Sequence, residues 1–136
     1  MSLFLDTSAV VALYNEDDDF HAEALDVMAR IERNEIEFTR FYITDYVFDE
    51  AMTFLECVVR DHALAIEVGE ALLNSPHVVI EQVGEGLFQA SWGRFRESEG
   101  LSFTDCVSFS FMREKGVTRA FTFDDHFRRK KFETIP

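Results

Sequence analysis

Cysteine is scarce in this chain of 136 residues, and long apolar runs are absent from it. Its two cysteines, Cys57 and Cys106, lie far apart without a Cys-x-x-Cys pair or paired histidines, which disfavours a zinc site or a disulfide framework. We expect both to be small thiols of the core. No stretch approaches the roughly 18 apolar residues of a membrane span, and residues 1–6 lack the basic start of a signal peptide. The sequence therefore predicts a soluble, cytoplasmic protein with no membrane partner.

Positive charge is scarce as well. The chain has 13 Lys and Arg residues against 26 Asp and Glu residues, and its formal net charge is −13. Such a surface repels a polyphosphate at low salt, which argues against a nucleic-acid enzyme. An acid excess with Arg favoured over Lys resembles the surfaces of proteins from salt-loving organisms, whose cytoplasm would screen this repulsion. An acidic protein that never meets nucleic acid is the alternative, and composition leaves both open.

Proline and glycine seldom interrupt the chain, and short apolar runs alternate with amphipathic stretches. This rhythm is typical of βα repeats, and we expect one α/β domain over residues 1–136. The predicted strands are residues 2–5, 41–44, 77–81 and 120–123. The predicted helices are residues 7–14, 20–33, 45–60, 62–73, 86–97 and 104–115, the second with Ala24, Leu25, Met28 and Ile31 on one side. The acidic run at residues 16–19 is expected to be a solvated loop.

Three aspartates stand where carboxylates build magnesium or manganese sites. Asp6 and Asp124 each close an apolar strand, and open parallel sheets bind ligands at such strand ends. Asp105 begins a helix whose next turns are nearly uncharged, so its acid is expected to point to an internal cleft. Each also has a purely structural interpretation. Asp6 and Asp124 could cap the next helices, and Ser102 with Asp105 fits a variant of the capping box.

Glu50 is a fourth acid, on the predicted helix 45–60. At about 100° per residue, one narrow polar stripe of this helix contains Asp45, Asp49, Thr53, Glu56 and Arg60. Glu50 projects roughly 100° away from that stripe, in the sector of Phe54 and Cys57. It therefore faces inward, where a carboxylate must be paired, protonated or bound to a metal. The alternative is an ion pair with a buried Arg.

Four stretches together resemble the PIN-domain ribonucleases, and among them the VapC-type toxins of prokaryotic toxin–antitoxin pairs. They are Phe4-Leu5-Asp6-Thr7-Ser8, Ile43-Thr44-Asp45-Tyr46-Val47-Phe48-Asp49-Glu50, Ser102-Phe103-Thr104-Asp105-Cys106 and Phe121-Thr122-Phe123-Asp124-Asp125-His126-Phe127. Their order and spacing carry the resemblance, which covers nearly the whole chain. It implies a three-layer α/β/α fold with a central parallel sheet in a flavodoxin-like order.

The resemblance also implies the site. The acidic quartet of the family falls on Asp6, Glu50, Asp105 and Asp124, with the three aspartates chiefly binding Mg²⁺ or Mn²⁺ and Glu50 binding metal or orienting the attacking water. Asp125 is an additional acid beside the fourth position, so either Asp124 or Asp125 could be the outermost metal ligand. Thr7, Ser8 and Thr122 match the accompanying hydroxyl positions, which order metal-bound waters. Hydrolysis of RNA would then leave a 5′-phosphate and a 3′-hydroxyl.

Partners follow from the resemblance and from charge. The resemblance implies an RNA substrate, a homodimer and a small antitoxin. Four carboxylates in a protein of net charge −13 attract a cationic side chain, so we expect Arg or Lys in the carboxyl-terminal segment of that antitoxin. The only dense basic cluster consists of Arg128, Arg129, Lys130 and Lys131, which either contacts the RNA backbone or forms a solvated terminal helix.

Two other classes of protein compete with this interpretation. An aspartate phosphoacceptor or phosphatase also places an Asp after the first strand. However, Asp6-Thr7-Ser8 lacks the Asp-x-Asp of haloacid-dehalogenase phosphatases, and no Lys follows the fourth strand as a receiver requires. A non-catalytic PIN-like module that binds RNA or protein is the second rival, and the complete quartet argues against it.

Overall fold

A five-stranded parallel sheet forms the centre of the computed structural model, which describes residues 1–136. The strands are β1 (Leu3–Leu5), β2 (Phe41–Thr44), β3 (Val78–Glu81), β4 (Arg119–Phe121) and β5 (Glu133–Ile135). Phe4 of β1 lies opposite Tyr42 of β2 on one side and Ala120 of β4 on the other. The predicted α/β fold with a central parallel sheet is confirmed. β5 was not predicted, because it is three residues long and only Ile135 of them is apolar.

The order of the strands is β3-β2-β1-β4-β5, and this corrects the predicted flavodoxin-like order. A flavodoxin-like sheet has the order 2-1-3-4-5, in which the chain crosses over β1 after its second strand. Here the chain adds β3 outside β2 and crosses over only afterwards, on its way to β4. Apolar runs along a sequence do not show after which strand the chain crosses to the other side of β1. The strand order therefore depends on tertiary packing and could not be predicted from these runs.

Seven α-helices connect the strands. They are α1 (Thr7–Tyr14), α2 (His21–Glu32), α3 (Asp45–Phe54), α4 (His62–Asn74), α5 (Glu85–Glu97), α6 (Phe103–Lys115) and α7 (Asp125–Arg129). Because parallel crossovers are right-handed, the connections before and after the reversal of strand order lie on opposite faces of the sheet. Phe4 of β1 accordingly packs on Phe111 of α6 and Phe127 of α7, with ring centroids 5.9 and 6.0 Å apart. The three-layer arrangement is confirmed.

The predicted helix 45–60 is interrupted, which changes the environment of one cysteine. A π-helical turn, Leu55–Val59, follows α3, and the chain then turns through a left-handed Arg60. A π turn advances less than 100° per residue, so the residues after Phe54 leave the predicted face. Cys57 is consequently exposed, and the expectation of a core thiol was wrong for it, whereas Cys106 is buried as predicted.

The inner side of α2 differs by one residue from the prediction. Ala24 and Val27 are buried, and Met28 and Ile31 pack partly buried against the core, at the i, i+3, i+4, i+7 spacing of a helix face. Leu25 lies beside this stripe and is largely exposed. None of the helices combines the length and the apolar composition that crossing a lipid bilayer requires.

Candidate functional site

Asp6 lies at the point where the strand order reverses, since β1 ends at Leu5 and its neighbours β2 and β4 belong to opposite halves of the sheet. Open parallel sheets form a crevice at such a switch point. Asp6 is only 4% exposed, and its Oδ2 accepts hydrogen bonds from Ser8 Oγ at 2.8 Å and Thr122 Oγ1 at 2.9 Å. Although Asp6 precedes α1, its side chain makes no capping hydrogen bond. Helix capping therefore does not explain this carboxylate.

Burial raises the pKa of Asp6 to about 6, from a usual value of 3.8. The hydrogen bonds from Ser8 and Thr122 favour the ionised form and oppose this shift, whereas the negative charges of Asp105 and Asp124 add to it. The site thus holds a carboxyl group in a position where a negative charge is costly. A bound cation would remove that cost.

Asp105 completes the predicted capping box at the start of α6. Its backbone N–H donates to Ser102 Oγ at 3.0 Å, and its Oδ2 accepts from the Ser102 backbone N–H at 3.3 Å. Burial and the nearby charge of Asp124 raise the pKa of Asp105, and the contacts with Ser102 and His126 oppose that rise. Capping uses only Oδ2, so Oδ1 is free for another ligand.

Asp124 is held in a similar way. Its Oδ1 accepts the backbone N–H of His126 at 2.9 Å and so caps α7. The ring atom Nδ1 of His126 lies 3.2 Å from that oxygen and 3.2 Å from Oδ2 of Asp105. Ligand atoms of Asp105, Asp124 and His126 all lie within 4.8 Å of one another. Sequence reasoning did not select His126, although its position two residues after Asp124, in the first turn of a helix, was a usable signal.

Glu50 lies on α3 and is half-buried in the same cleft. It makes no ion pair, and His126 is the only basic side chain paired with any of the four predicted acids. The alternative of an ion pair between Glu50 and a buried Arg is therefore not what the structure shows. The one buried Arg, Arg119, donates instead to the backbone carbonyl of Glu37.

All four predicted acids line one cleft of about 460 Å³. Its lining residues are Asp6, Thr7, Ser8, Val11, Asp18, Phe20, Glu50, Phe54, Asp105, Phe123 and Asp124. Asp18 is a fifth acid at this cleft, and it belongs to the run that was predicted to be a solvated loop. Glu16, Asp17 and Asp19 are exposed as that prediction requires, whereas Asp18 is partly buried. No Lys, Arg or His is among the lining residues.

The donors around this cleft fit a hard divalent cation. Asp6, Asp105 and Asp124 each use one carboxylate oxygen for hydrogen bonds within the protein and leave the other without a partner. Thr7 is 8% exposed, and its buried Oγ1 has no hydrogen-bond partner within the chain. Carboxylate and hydroxyl oxygens are the ligands that Mg²⁺ and Mn²⁺ prefer, directly or through water. The residues that could hold such an ion are therefore the three aspartates and Glu50, with Thr7 beside them.

The other two predicted hydroxyls, Ser8 and Thr122, both contact Asp6. Ser8 and Thr122 both donate to Asp6, and they also accept backbone N–H groups, from Phe123 at 3.0 Å and from Asp124 at 2.9 Å respectively. They thereby tie the end of β1 to the segment after β4. In this structure they orient a carboxylate, and the ordering of metal-bound water remains a prediction for Thr7, Ser8 and Thr122 alike.

The remaining predicted residues lie outside the cleft. The side chain of Asp125 is exposed and lies 3.6 Å from Arg128 and 3.8 Å from Arg129. Arg128 also donates to Thr134 Oγ1 at 3.2 Å. Lys130 is half-buried, whereas Lys131 is exposed. Asp125 thus lies outside the lining of the cleft, although it lines a neighbouring pocket together with Asp124, and the basic cluster lies on the surface around α7.

Comparison with known proteins identifies the family of the chain and relatives within it. The PIN domain family matches residues 3–133. The chain is 32% identical over 138 residues to the 23S rRNA-specific endonuclease VapC20 of Mycobacterium tuberculosis, in strains CDC 1551 / Oshkosh and H37Rv, and the match covers 98% of this chain and 97% of that protein. The crystal structure of Mycobacterium tuberculosis VapC20, described as a toxin that cleaves the sarcin–ricin loop, superposes with a TM-score of 0.80 at 30% identity. That superposition covers 96% of this chain and 95% of the other.

Proposed function

The chain belongs to the PIN-domain family, as a relative of its VapC-type toxins, and we propose that it is a metal-dependent endoribonuclease and the toxin of a toxin–antitoxin pair. One observation carries the proposal. Three aspartates from three segments of the chain lie in one cleft, and each keeps one oxygen free of protein hydrogen bonds. Helix capping does not account for the carboxylate of Asp6, because that side chain makes no capping hydrogen bond.

Different residues of the cleft have different roles in the proposed hydrolysis of the phosphodiester bond. Asp6, Asp105 and Asp124 would hold Mg²⁺ or Mn²⁺, which when bound supplies positive charge at the scissile phosphate and increases the acidity of water. Ser8 and Thr122 fix the orientation of Asp6. Glu50 has no protein partner, so its carboxylate is free to orient the attacking water and to accept its proton. In-line attack then leaves a 5′-phosphate and a 3′-hydroxyl.

We expect cleavage to require a divalent cation. RNA containing the sarcin–ricin loop is a suitable first substrate, because the relative of known activity acts on it. Protein stripped with EDTA should leave this RNA intact, and added Mg²⁺ or Mn²⁺ should restore cleavage, as measured by mapping the RNA ends on a gel. Undiminished cleavage in EDTA would contradict the metal-dependent mechanism. Binding of RNA without cleavage at any cation concentration would favour the non-catalytic PIN-like module.

Two surfaces support the proposed protein partners. The acidic cleft suits a cationic segment of an antitoxin, which would pair with the carboxylates and exclude the metal. A second groove, of about 450 Å³, lies between α3 and α4 and includes the apolar residues Met52, Ala65, Ile66 and Leu73 in its lining. Ile66, Leu73 and the neighbouring Val58 are largely exposed. We propose that this apolar surface is covered by the antitoxin or by a second copy in a homodimer.

Co-expression with a neighbouring small open reading frame tests this partner proposal. We expect a stable complex, whose mass from light scattering gives the number of copies of each chain, and we expect it to cut RNA far more slowly than the free protein. The encoded antitoxin should carry Arg or Lys in its carboxyl-terminal segment, and truncation of that segment should restore cleavage. A neighbour that does not copurify, or a complex as active as the free protein, would exclude that neighbour as the antitoxin.

A further inference from the structure

One wall of the acidic cleft is aromatic. The rings of Phe20 and Phe123 stack with centroids 4.7 Å apart and an interplanar angle of 12°. Phe123 is followed directly by Asp124, and its ring also packs edge-on against the ring of the fully buried Phe121, with centroids 5.9 Å apart. Phe20 is the outer ring of this stack, and it is 43% exposed although it lines the cleft. An apolar ring is therefore presented to solvent beside the carboxylates.

The outer ring is held in place before any ligand arrives. The backbone N–H of Phe20 donates to Asp18 Oδ1 at 2.9 Å, and the carbonyl of Phe20 accepts the N–H of Ala24 at 2.9 Å. These bonds fix the residue at the start of α2, and the stack on Phe123 fixes its ring. A rigid aromatic side chain loses little conformational entropy on binding, which is the property of a pre-organised contact.

The charge of the cleft decides which part of an RNA this ring contacts. The cleft lining contains five acids and no base, so it offers no Lys or Arg for pairing with backbone phosphates. A nucleobase is planar and uncharged, and it can approach these acids without the repulsion that a phosphate meets. Stacking on aromatic side chains is also the usual way in which proteins hold single-stranded RNA bases.

We propose that Phe20, supported by Phe123, stacks on the base of a nucleotide next to the scissile phosphate. This inference rests on the proposed endoribonuclease function, and it assigns a base-binding subsite to that cleft. Phe20 and Phe123 line the same cleft as the four carboxylates, so a base stacked on Phe20 would lie beside the position proposed for the scissile phosphate. Phe54, a partly exposed residue on the same lining, extends the apolar wall from α3.

The test combines changes in the protein with changes in the RNA. Binding of a fluorescent RNA is measured by anisotropy in EDTA, with the intact strand and with strands that carry one abasic nucleotide on either side of the cleavage point. Phe20→Ala and Phe20→Leu should weaken binding of the intact RNA about tenfold, whereas Phe20→Trp should retain it. For one of the two abasic strands, the affinity of the wild-type protein should be lower than for the intact strand by the same factor. The affinity of Phe20→Ala should be the same for that abasic strand as for the intact strand. Because stacking releases no counterions, these ratios should be the same at low and high salt.

Phe88→Ala is the matched control. Phe88 is 41% exposed and packs against one neighbouring ring, Phe103 at 5.4 Å, but it lies outside the cleft. Its removal should leave RNA binding unchanged, and circular dichroism should show that all the variants are folded. The comparison of wild type with Phe20→Ala on intact RNA needs no cleavage, so a wild-type protein that binds RNA through Phe20 without cleaving it would exclude the endoribonuclease function but not the stacking by Phe20. Equal affinity of wild type and Phe20→Ala for the intact RNA would overturn the subsite. It would also be overturned if Phe20→Ala and the abasic nucleotide reduced the affinity independently, so that their combined effect was the product of the two separate factors. A Phe20→Ala variant that binds RNA normally but no longer binds an antitoxin would assign the ring to a protein partner instead.

Discussion

Replacement of Asp6 with Asn is expected to abolish RNA cleavage while the protein remains folded. Asp6 lies at the end of β1, and its free oxygen is one of the few that the cleft can offer to a cation. Loss of a residue that merely orients a metal ligand typically costs 10- to 100-fold in activity or metal affinity, so loss of a ligand should cost at least about a hundredfold. The rate of RNA cleavage at saturating Mn²⁺ measures this effect.

Asp105→Asn should have the same effect, since Asp105 also keeps one oxygen free. Asn retains the size of the side chain and a carbonyl oxygen that can accept the backbone N–H of Ser102, and its own backbone N–H can still donate to Ser102 Oγ, so α6 should keep its cap. Asp19→Asn is the matched control, because Asp19 is exposed and lies outside the cleft lining. Full ribonuclease activity in the folded Asp6→Asn and Asp105→Asn proteins would rule out the proposed site.

The sequence predicted the acidic site better than it predicted the surroundings of the site. Asp6 and Asp124 follow apolar strands, and the carboxyl ends of parallel strands meet at one edge of a sheet, so their proximity could be inferred. Asp18 could not be inferred, because its neighbours in the acidic run are exposed and only the path of the loop before α2 brings it to the cleft. The position of His126 two residues after Asp124 was a usable signal, but its contact with Asp105 could not be inferred, since that contact joins α6 to α7.

The fold shows the same division between local and tertiary information. The bounds of α1 and β2 agree with the prediction, because apolar spacing and flanking polar residues determine them locally. The order of the strands and the π turn after Phe54 depended on packing between distant segments. The stack of Phe20 on Phe123 is also of this kind, because it joins residues 103 positions apart in the chain.

The contribution of Asp6 to the stability of the metal-free protein should fall as pH rises from about 4 to about 6. Burial raises the pKa of Asp6 to about 6, so the folded state retains a proton that the unfolded chain releases near its ordinary pKa of 3.8. Folding is therefore favoured below pH 4, and this contribution is lost as pH rises through the pKa of the folded state. A shift of two pKa units corresponds to at most about 3 kcal/mol in the free energy of unfolding. The raised pKa of Asp105 acts in the same direction.

Asp6→Asn isolates this contribution, because Asn carries no charge at any pH. In EDTA, the variant should be more stable than the wild-type protein at pH 7, and this advantage should shrink towards pH 4. Urea denaturation at a series of pH values measures both curves, and Asp19→Asn should follow the wild-type curve. Mg²⁺ or Mn²⁺ should reverse the order at pH 7, since a cation that binds only the folded wild-type site stabilises it by mass action. Parallel curves for wild type and Asp6→Asn from pH 4 to pH 7 would show that the buried carboxyl group of Asp6 ionises without cost, and the charge-based account of this cleft would then be wrong.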